Sequence, residues 1–156
     1  ELKVQTTPFN ILEIICETVF SFEQSIEQKN LDIRGLDTDK VMVDADPDLL
    51  HQVVYNLIDN AIKFCPDGGR LSLRVQSDGG KARVSVENTG PTIDKDELPL
   101  LFDRFHKADK SRSADREGWG LGLYIAKTIV GAHGGDIWAT SENGVTQFNF
   151  TLPTVR

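Results

Sequence analysis

The 156 residues predict an α/β fold, a two-layer sandwich whose mixed, mostly antiparallel sheet carries three main helices on one face and a long lid, approximately residues 94–119. Three observations carry this. Apolar residues recur at helical spacing in three stretches, they alternate at strand spacing in several others, and between Asn88 and Gly120 periodicity fades while Gly, Pro, Asp, Lys and Arg accumulate. Such a loop is too long for a simple connector. The length suits one domain, residues 1–156, with a core that needs no staples.

In chain order, Val4 to Phe9 reads as an edge strand. Asn10 with Glu13 forms a capping box, and Ile11, Ile14, Ile15, Val19, Phe22 and Ile26 make a first amphipathic helix to about Lys29. Leu31–Arg34 and Val41–Ala45 read as a hairpin. Asp46-Pro47 caps a second helix, with proline at its first position, and Pro66-Asp67-Gly68-Gly69 ends it. Leu71, Leu73 and Val75 alternate, as do Ala82, Val84 and Val86, on either side of the turn Asp78-Gly79-Gly80. A third helix starts near Gly120 and runs to His133, stopped by Gly134-Gly135. Ile137–Thr140 and Gln147–Leu152 add two strands.

A net charge of −7 argues against general affinity for nucleic acid or anionic membrane, so basic residues must act locally. No apolar run reaches the ~20 residues of a membrane span. Glu1 in place of an initiator methionine suggests a piece of a longer protein. Cys16 and Cys65 form no C-x-x-C pattern, and His51, His106 and His133 are too scattered for a metal cluster.

The second helix carries an unusual stripe. Asn56, Asn60 and Lys63 share one face, while Leu50, Val53, Val54, Leu57, Ile58 and Ala61 form the apolar one. Amide oxygens suit a hard cation and lysine suits phosphate, which together fit a metal-nucleotide site. Gly118, Gly120 and Gly122, at the junction of lid and helix, leave backbone amides free to face phosphate oxygens. Their order is neither that of a P-loop nor of a Rossmann unit.

Four segments in order, N-L-I-D-N-A-I-K-F, V-E-N-T-G-P-T-I, L-F-D-R-F-H-K-A-D-K-S-R and G-W-G-L-G-L-Y-I-A-K, with a closing N-G-V-T-Q-F-N-F-T-L-P, resemble the catalytic ATP-binding domain of sensor histidine kinases. This branch belongs to the superfamily of DNA gyrase and MutL. The resemblance implies ATP and Mg²⁺ as cofactors, with Asn60 as metal ligand, Asn56 beside the metal and phosphates in a catalytic role, Lys63 on phosphate and Phe64 against adenine. It further places Gly90, Ile93, Leu121, Leu123 and Thr146 at the nucleotide, together with Gly118, Gly120 and Gly122. Phe102 and Phe105 resemble paired lid phenylalanines, with Phe105 also at the nucleotide. Lys107 would reach the γ-phosphate as a second catalytic group, with Arg104, Lys110 and Arg112 nearby.

The second motif departs from the family's D-x-G-x-G at Asn88 and Thr92. Asparagine keeps one acceptor for the adenine amino group, but its NH₂ can also satisfy a guanine edge, which predicts a softened adenine preference. Thr92 replaces a glycine, and a β-branched residue takes positive φ only at a cost, which predicts weakened affinity. Trp119 stands where a small residue is usual.

No histidine here is followed by an acidic residue, so the phosphoacceptor is expected on a separate dimerisation domain of the parent, with a response-regulator receiver domain next in the relay. The resemblance implies a cytoplasmic domain without nucleic-acid or direct membrane contact, in parents that include membrane-anchored proteins. Three rivals share the fold: a degenerate pseudokinase domain with weak nucleotide binding, a gyrase-type ATPase, and a serine kinase. The glutamate that activates water in gyrase-type relatives is absent, Asn56 standing in its place.

Overall fold

In a computed structural model describing residues 2–103 and 119–155, with the side chains of Trp119 and Gly120 excepted, two sheets form the strand layer. Strand β1 (Thr7–Asn10) leads into helix α1 (Ile11–Ser21) and the short helix α2 (Glu23–Gln28). Strands β2 (Asp32–Arg34) and β3 (Met42–Ala45) precede helix α3 (Pro47–Phe64). Strands β4 (Arg70–Asp78) and β5 (Lys81–Thr89) follow, then a 3₁₀ turn (Leu98–Phe102), helix α4 (Trp119–Ala132), and strands β6 (Ile137–Glu142) and β7 (Val145–Pro153).

The five-stranded sheet has the order β2-β4-β5-β7-β6, parallel between β2 and β4 and antiparallel elsewhere. Leu71, Leu73, Val84, Val86, Phe148, Phe150 and Leu152 point from it into the core. Ile11, Ile15, Leu50, Leu57, Ile58, Leu123 and Ile129 of α1, α3 and α4 meet them there. The opposite sheet face is polar, with Arg83 bonded to Asn149 and Gln147, and Gln147 to Glu87. One packed and one polar face is what an antiparallel-rich sheet permits.

Several expectations are corrected. The 31–34 and 41–45 segments do not pair with each other: β2 joins β4, and β3 joins β1 in a separate two-stranded sheet. Gly35 explains the divergence, because a Cβ there would fall 1.8 Å from the Leu73 carbonyl oxygen, so the chain leaves β2 tight against β4. The first helix also breaks at Phe22, whose N–H bonds Val19 O and whose ring lies 5.0 Å from that of Tyr55. Asn10 caps α1, Oδ1 accepting from Leu12 N, but the reciprocal Glu13 bond of the expected capping box is absent among the described residues, and the same Oδ1 accepts from Val41 N and so ties β3 to the helix start. The strand before it covers Thr7–Asn10 rather than 4–9.

The β4–β5 turn matches its sequence signal. Gly79 and Gly80 both take positive φ (57° and 85°), as a two-residue hairpin turn requires. Among the described residues, no helix is long and apolar enough to cross a membrane. Cys16 is exposed and Cys65 buried, both free.

Candidate functional site

Helix α3 is fixed at both ends. At its start the Asp46 carboxylate accepts from Asp48 N, Leu49 N and Gln5 N. These bonds, the one from Gln5 first, hold its pKa below the usual carboxylate range against the opposing effect of burial. The Asp46 N–H in turn donates to His133 Nε2, joining the start of α3 to the end of α4. At the other end Lys29 Nζ donates to the carbonyls of Ile62, Lys63 and Cys65 at 2.7, 3.0 and 2.9 Å. A helix leaves its last carbonyls unpaired, and an ammonium there also meets the negative end of the dipole.

A small recess, with free room of about 20 Å³, lies where α3, β5 and β7 converge. Helix α3 contributes Asn60 and Phe64, β5 contributes Asn88, the following loop Pro91 and Ile93, and β7 Thr146 with Phe148. Five of these, Asn60, Phe64, Asn88, Ile93 and Thr146, were singled out in the sequence from segments far apart. Pro91 and Phe148 were not. Phe148 is buried and so belongs to the core as well as to the recess wall. Two larger hollows exist, one against the polar sheet face and one beside Lys29 and Lys63. Neither gathers the asparagines, so chemistry rather than volume selects the smaller one.

Asn60 is 3% exposed, and its Nδ2 has no hydrogen-bond partner among the described residues. A buried amide left so costs ~1–3 kcal/mol unless something else meets it. Asn88 is equally buried, but its Nδ2 donates to Thr89 O at 3.0 Å, leaving Oδ1 as its uncommitted end among the described residues. Gly90 has no room for a side chain, since a Cβ would lie 2.9 Å from Phe64 O. The first and fourth sequence motifs also meet: Asn56 Nδ2 donates to Gly122 O at 3.1 Å, leaving Asn56 Oδ1 over.

Lys63 is half-exposed and pairs with Asp59 at 3.0 Å. Gly120 falls in the first turn of α4, a turn without acidic residues, followed by exposed Leu121. The Leu123 side chain is committed to the core. Phe102 is also core, edge-on to Phe148 with ring centroids 6.0 Å apart. Thr92 is exposed, is absent from the recess lining and has no positive φ. The positive φ from which that cost was expected is therefore not taken. Arg104, Phe105, His106, Lys107, Lys110, Arg112 and Gly118, and the side chain of Trp119, lie outside the described residues. Among the described residues, no group of His, Cys, Asp or Glu is arranged to hold a metal ion.

Residues 45–156 match the model of the histidine kinase-, DNA gyrase B- and HSP90-like ATPase family. Sensor histidine kinase WalK of Bacillus subtilis (strain 168) is 43% identical over 135 residues, covering 85% of this chain and 22% of that protein. Sensor histidine kinase CusS of Escherichia coli (strain K12) is 38% identical over 144 residues, 92% of this chain and 30% of its own length. The chain thus spans under a third of these two relatives. The nucleotide-free catalytic domain of histidine kinase ThkA superposes with a TM-score of 0.84 at 32% identity, covering 97% of this chain and 99% of that one. ThkA in complex with the response regulator TrrA gives 0.83 at 30% identity, over 97% and 42%. Full-length ShkA in complex with AMPPNP gives 0.84 at 26%, over 99% and 32%.

Proposed function

The chain belongs to the histidine kinase-, DNA gyrase B- and HSP90-like ATPase family, and from that premise we propose that it binds Mg·ATP and presents the γ-phosphate to a histidine on a separate dimerisation domain. The phosphoryl group would then pass to a response-regulator receiver domain. The observation that supports this most is the recess with two buried asparagines, one holding an unpartnered amide and the other a spare acceptor.

The recess has free room of about 20 Å³, space for a water, so adenine would part its walls to enter. Adenine would enter beside Phe64 and Ile93, with Thr146 on the β7 side. Asn88 Oδ1 would accept from the exocyclic amino group. Because its NH₂ is engaged by Thr89 O, the asparagine is oriented as an acceptor, which supports adenine preference over guanine. The phosphates would extend past Asn56 toward the start of α4. There Gly120 and Gly122 bring no side-chain bulk, and Leu121 lies between them.

The donor set fits magnesium, since Asn60 and Asn56 offer neutral amide oxygens of the kind that complement phosphate and water ligands. The ion, held by Asn60 with Asn56 beside it, would neutralise charge on the phosphates. By resemblance, Lys107 supplies positive charge to the transferring group, Phe105 and Gly118 line the nucleotide from the lid, and Lys63 serves phosphate by leaving Asp59. This arrangement does its chemistry through positioning and electrostatics. Without a water-activating glutamate at position 56, hydrolysis by the isolated chain would be slow. The parent would carry this domain in the cytoplasm.

Mixing the chain with its parent's helical hairpin and γ-labelled ATP tests the proposal. Acid-labile, base-stable label on the hairpin is expected. Acid-stable label, or rapid multiple-turnover hydrolysis without transfer, would point to a serine kinase or a gyrase-type ATPase instead.

A further inference from the structure

The loop after β5 is fastened to the β6–β7 hairpin by short hydrogen bonds. Gly90 N donates to Gly144 O at 2.8 Å, and Gly144 N donates back to Thr92 Oγ1 at 2.8 Å. Ile93 N donates to Ser141 Oγ at 2.8 Å, and Ser141 Oγ lies 2.8 Å from Thr146 Oγ1. The turn that receives these bonds, Asn143-Gly144, has positive φ at both residues (52° and 78°), a tight hairpin geometry that leaves little slack. Two of the residues so held, Ile93 and Thr146, line the recess.

From this network we infer that Ser141, seconded by Thr92, is a positioning residue for nucleotide binding, fixing the recess wall and the root of the lid. The inference rests on the ATP-binding reading. Ser141 is 4% exposed and meets two partners at once. A serine oxygen that accepts the Ile93 N–H has its own proton to give to Thr146 Oγ1. In that direction of donation the Thr146 hydroxyl hydrogen is left for a ligand; in the reverse one Thr146 Oγ1 offers only its lone pairs. Loss of Ser141 would free the Ile93 segment, leave its N–H without that acceptor and let the Thr146 hydroxyl turn. Thr92 performs the outer half of the same task. In place of a glycine's freedom it holds Gly144, so the departure from D-x-G-x-G secures the loop instead of obstructing it.

The test uses Ser141→Ala and Thr92→Val, with Ser141→Thr and Thr92→Ser as conservative rescues. Amide exchange at Ile93 and Gly144 is measured in the nucleotide-free chain, and Mg·ATP affinity by titration. Ser141→Ala should speed exchange at Ile93 and weaken Mg·ATP about tenfold, while Thr92→Val, solvent-exposed and so free of folding risk, should speed Gly144 and weaken binding about threefold. The rescues should stay within about twofold of the parent chain, as expected when the hydroxyl and not the bulk matters. Binding by both hydroxyl-deleted variants equal to that of the unmodified chain, unchanged exchange, or failure of Thr92→Ser to rescue would overturn the inference alone. An unmodified chain that binds no nucleotide would overturn the ATP reading, and this inference with it.

Discussion

Replacing Lys29 by Met deletes three hydrogen bonds while keeping the aliphatic stem, so it isolates what the ammonium does for α3. The bonds run to Ile62 O, Lys63 O and Cys65 O, and those to Ile62 and Cys65 are part-buried. A hydrogen bond to a charged group contributes ~1.5–3 kcal/mol net when well made. Water can replace part of this at a half-buried lysine, and the three bonds share one ammonium, so they do not add. One full charge-assisted bond plus the ~0.3–1 kcal/mol of a cation at a helix C-terminus gives ~2–4 kcal/mol. For a domain of this size each kcal/mol lowers Tm by about 2–4 °C, so Lys29→Met should melt roughly 4–16 °C lower. Urea unfolding followed by circular dichroism measures the free energy, with an unchanged slope expected because the surface exposed on unfolding is the same. Because Asn60 and Phe64 sit in the last turns of α3, ATP affinity should fall as well. A stability loss below ~0.5 kcal/mol would refute the reasoning, since that is the worth of an ordinary surface contact.

Gly90→Ala should weaken nucleotide binding by an order of magnitude or more, because its Cβ would lie 2.9 Å from Phe64 O and push the recess wall; titration of ATP reads this directly. Asn88→Ala should abolish ATP preference over GTP. Asn88→Asp should keep adenine binding yet lower Tm, since a carboxylate oxygen would face Thr89 O where the amide nitrogen now donates. The depressed pKa of Asp46 means that its contribution is fully present above the ordinary aspartate value of about 3.9 and is lost as pH falls through the lower folded-state value. Acid titration should therefore show a stability decrement below about pH 4 that Asp46→Ala lacks, and that variant should already be destabilised by ~1 kcal/mol at neutral pH.

Local signals were legible wherever the chain resolves its own geometry. Asp46-Pro47 and the Pro66 stop bound α3 by capping chemistry, and Gly79-Gly80 specifies a turn that joins two alternating strands. The Asn143-Gly144 pair was an equally strong signal for the β6–β7 hairpin, and with it the anchor for residues 90–93 could have been anticipated. Non-local choices were not legible. The partner of β2 is β4, reached after β3 and α3, and nothing in residues 32–34 names it. Lys29 resembles any surface lysine until folding brings it to the end of α3. At the break, Phe22 meets the ring of Tyr55 on another helix, a contact between segments far apart in the chain. In the site, residue types and order identified most of the recess. That Thr92 needs no positive φ and that Asn88 spends its amide nitrogen on Thr89 O are facts of backbone geometry.

In the proposed site Mg·ATP enters with its adenine end in the recess of Asn60 and Asn88. Isothermal titration of the chain with ATP, with and without Mg²⁺, alongside Asn60→Ala, tests it most directly. Saturable binding that strengthens with Mg²⁺ in the unmodified chain, and loses that dependence in Asn60→Ala, is the expected result. Silence up to millimolar ATP, or equal Mg²⁺ dependence in the two proteins, would contradict it.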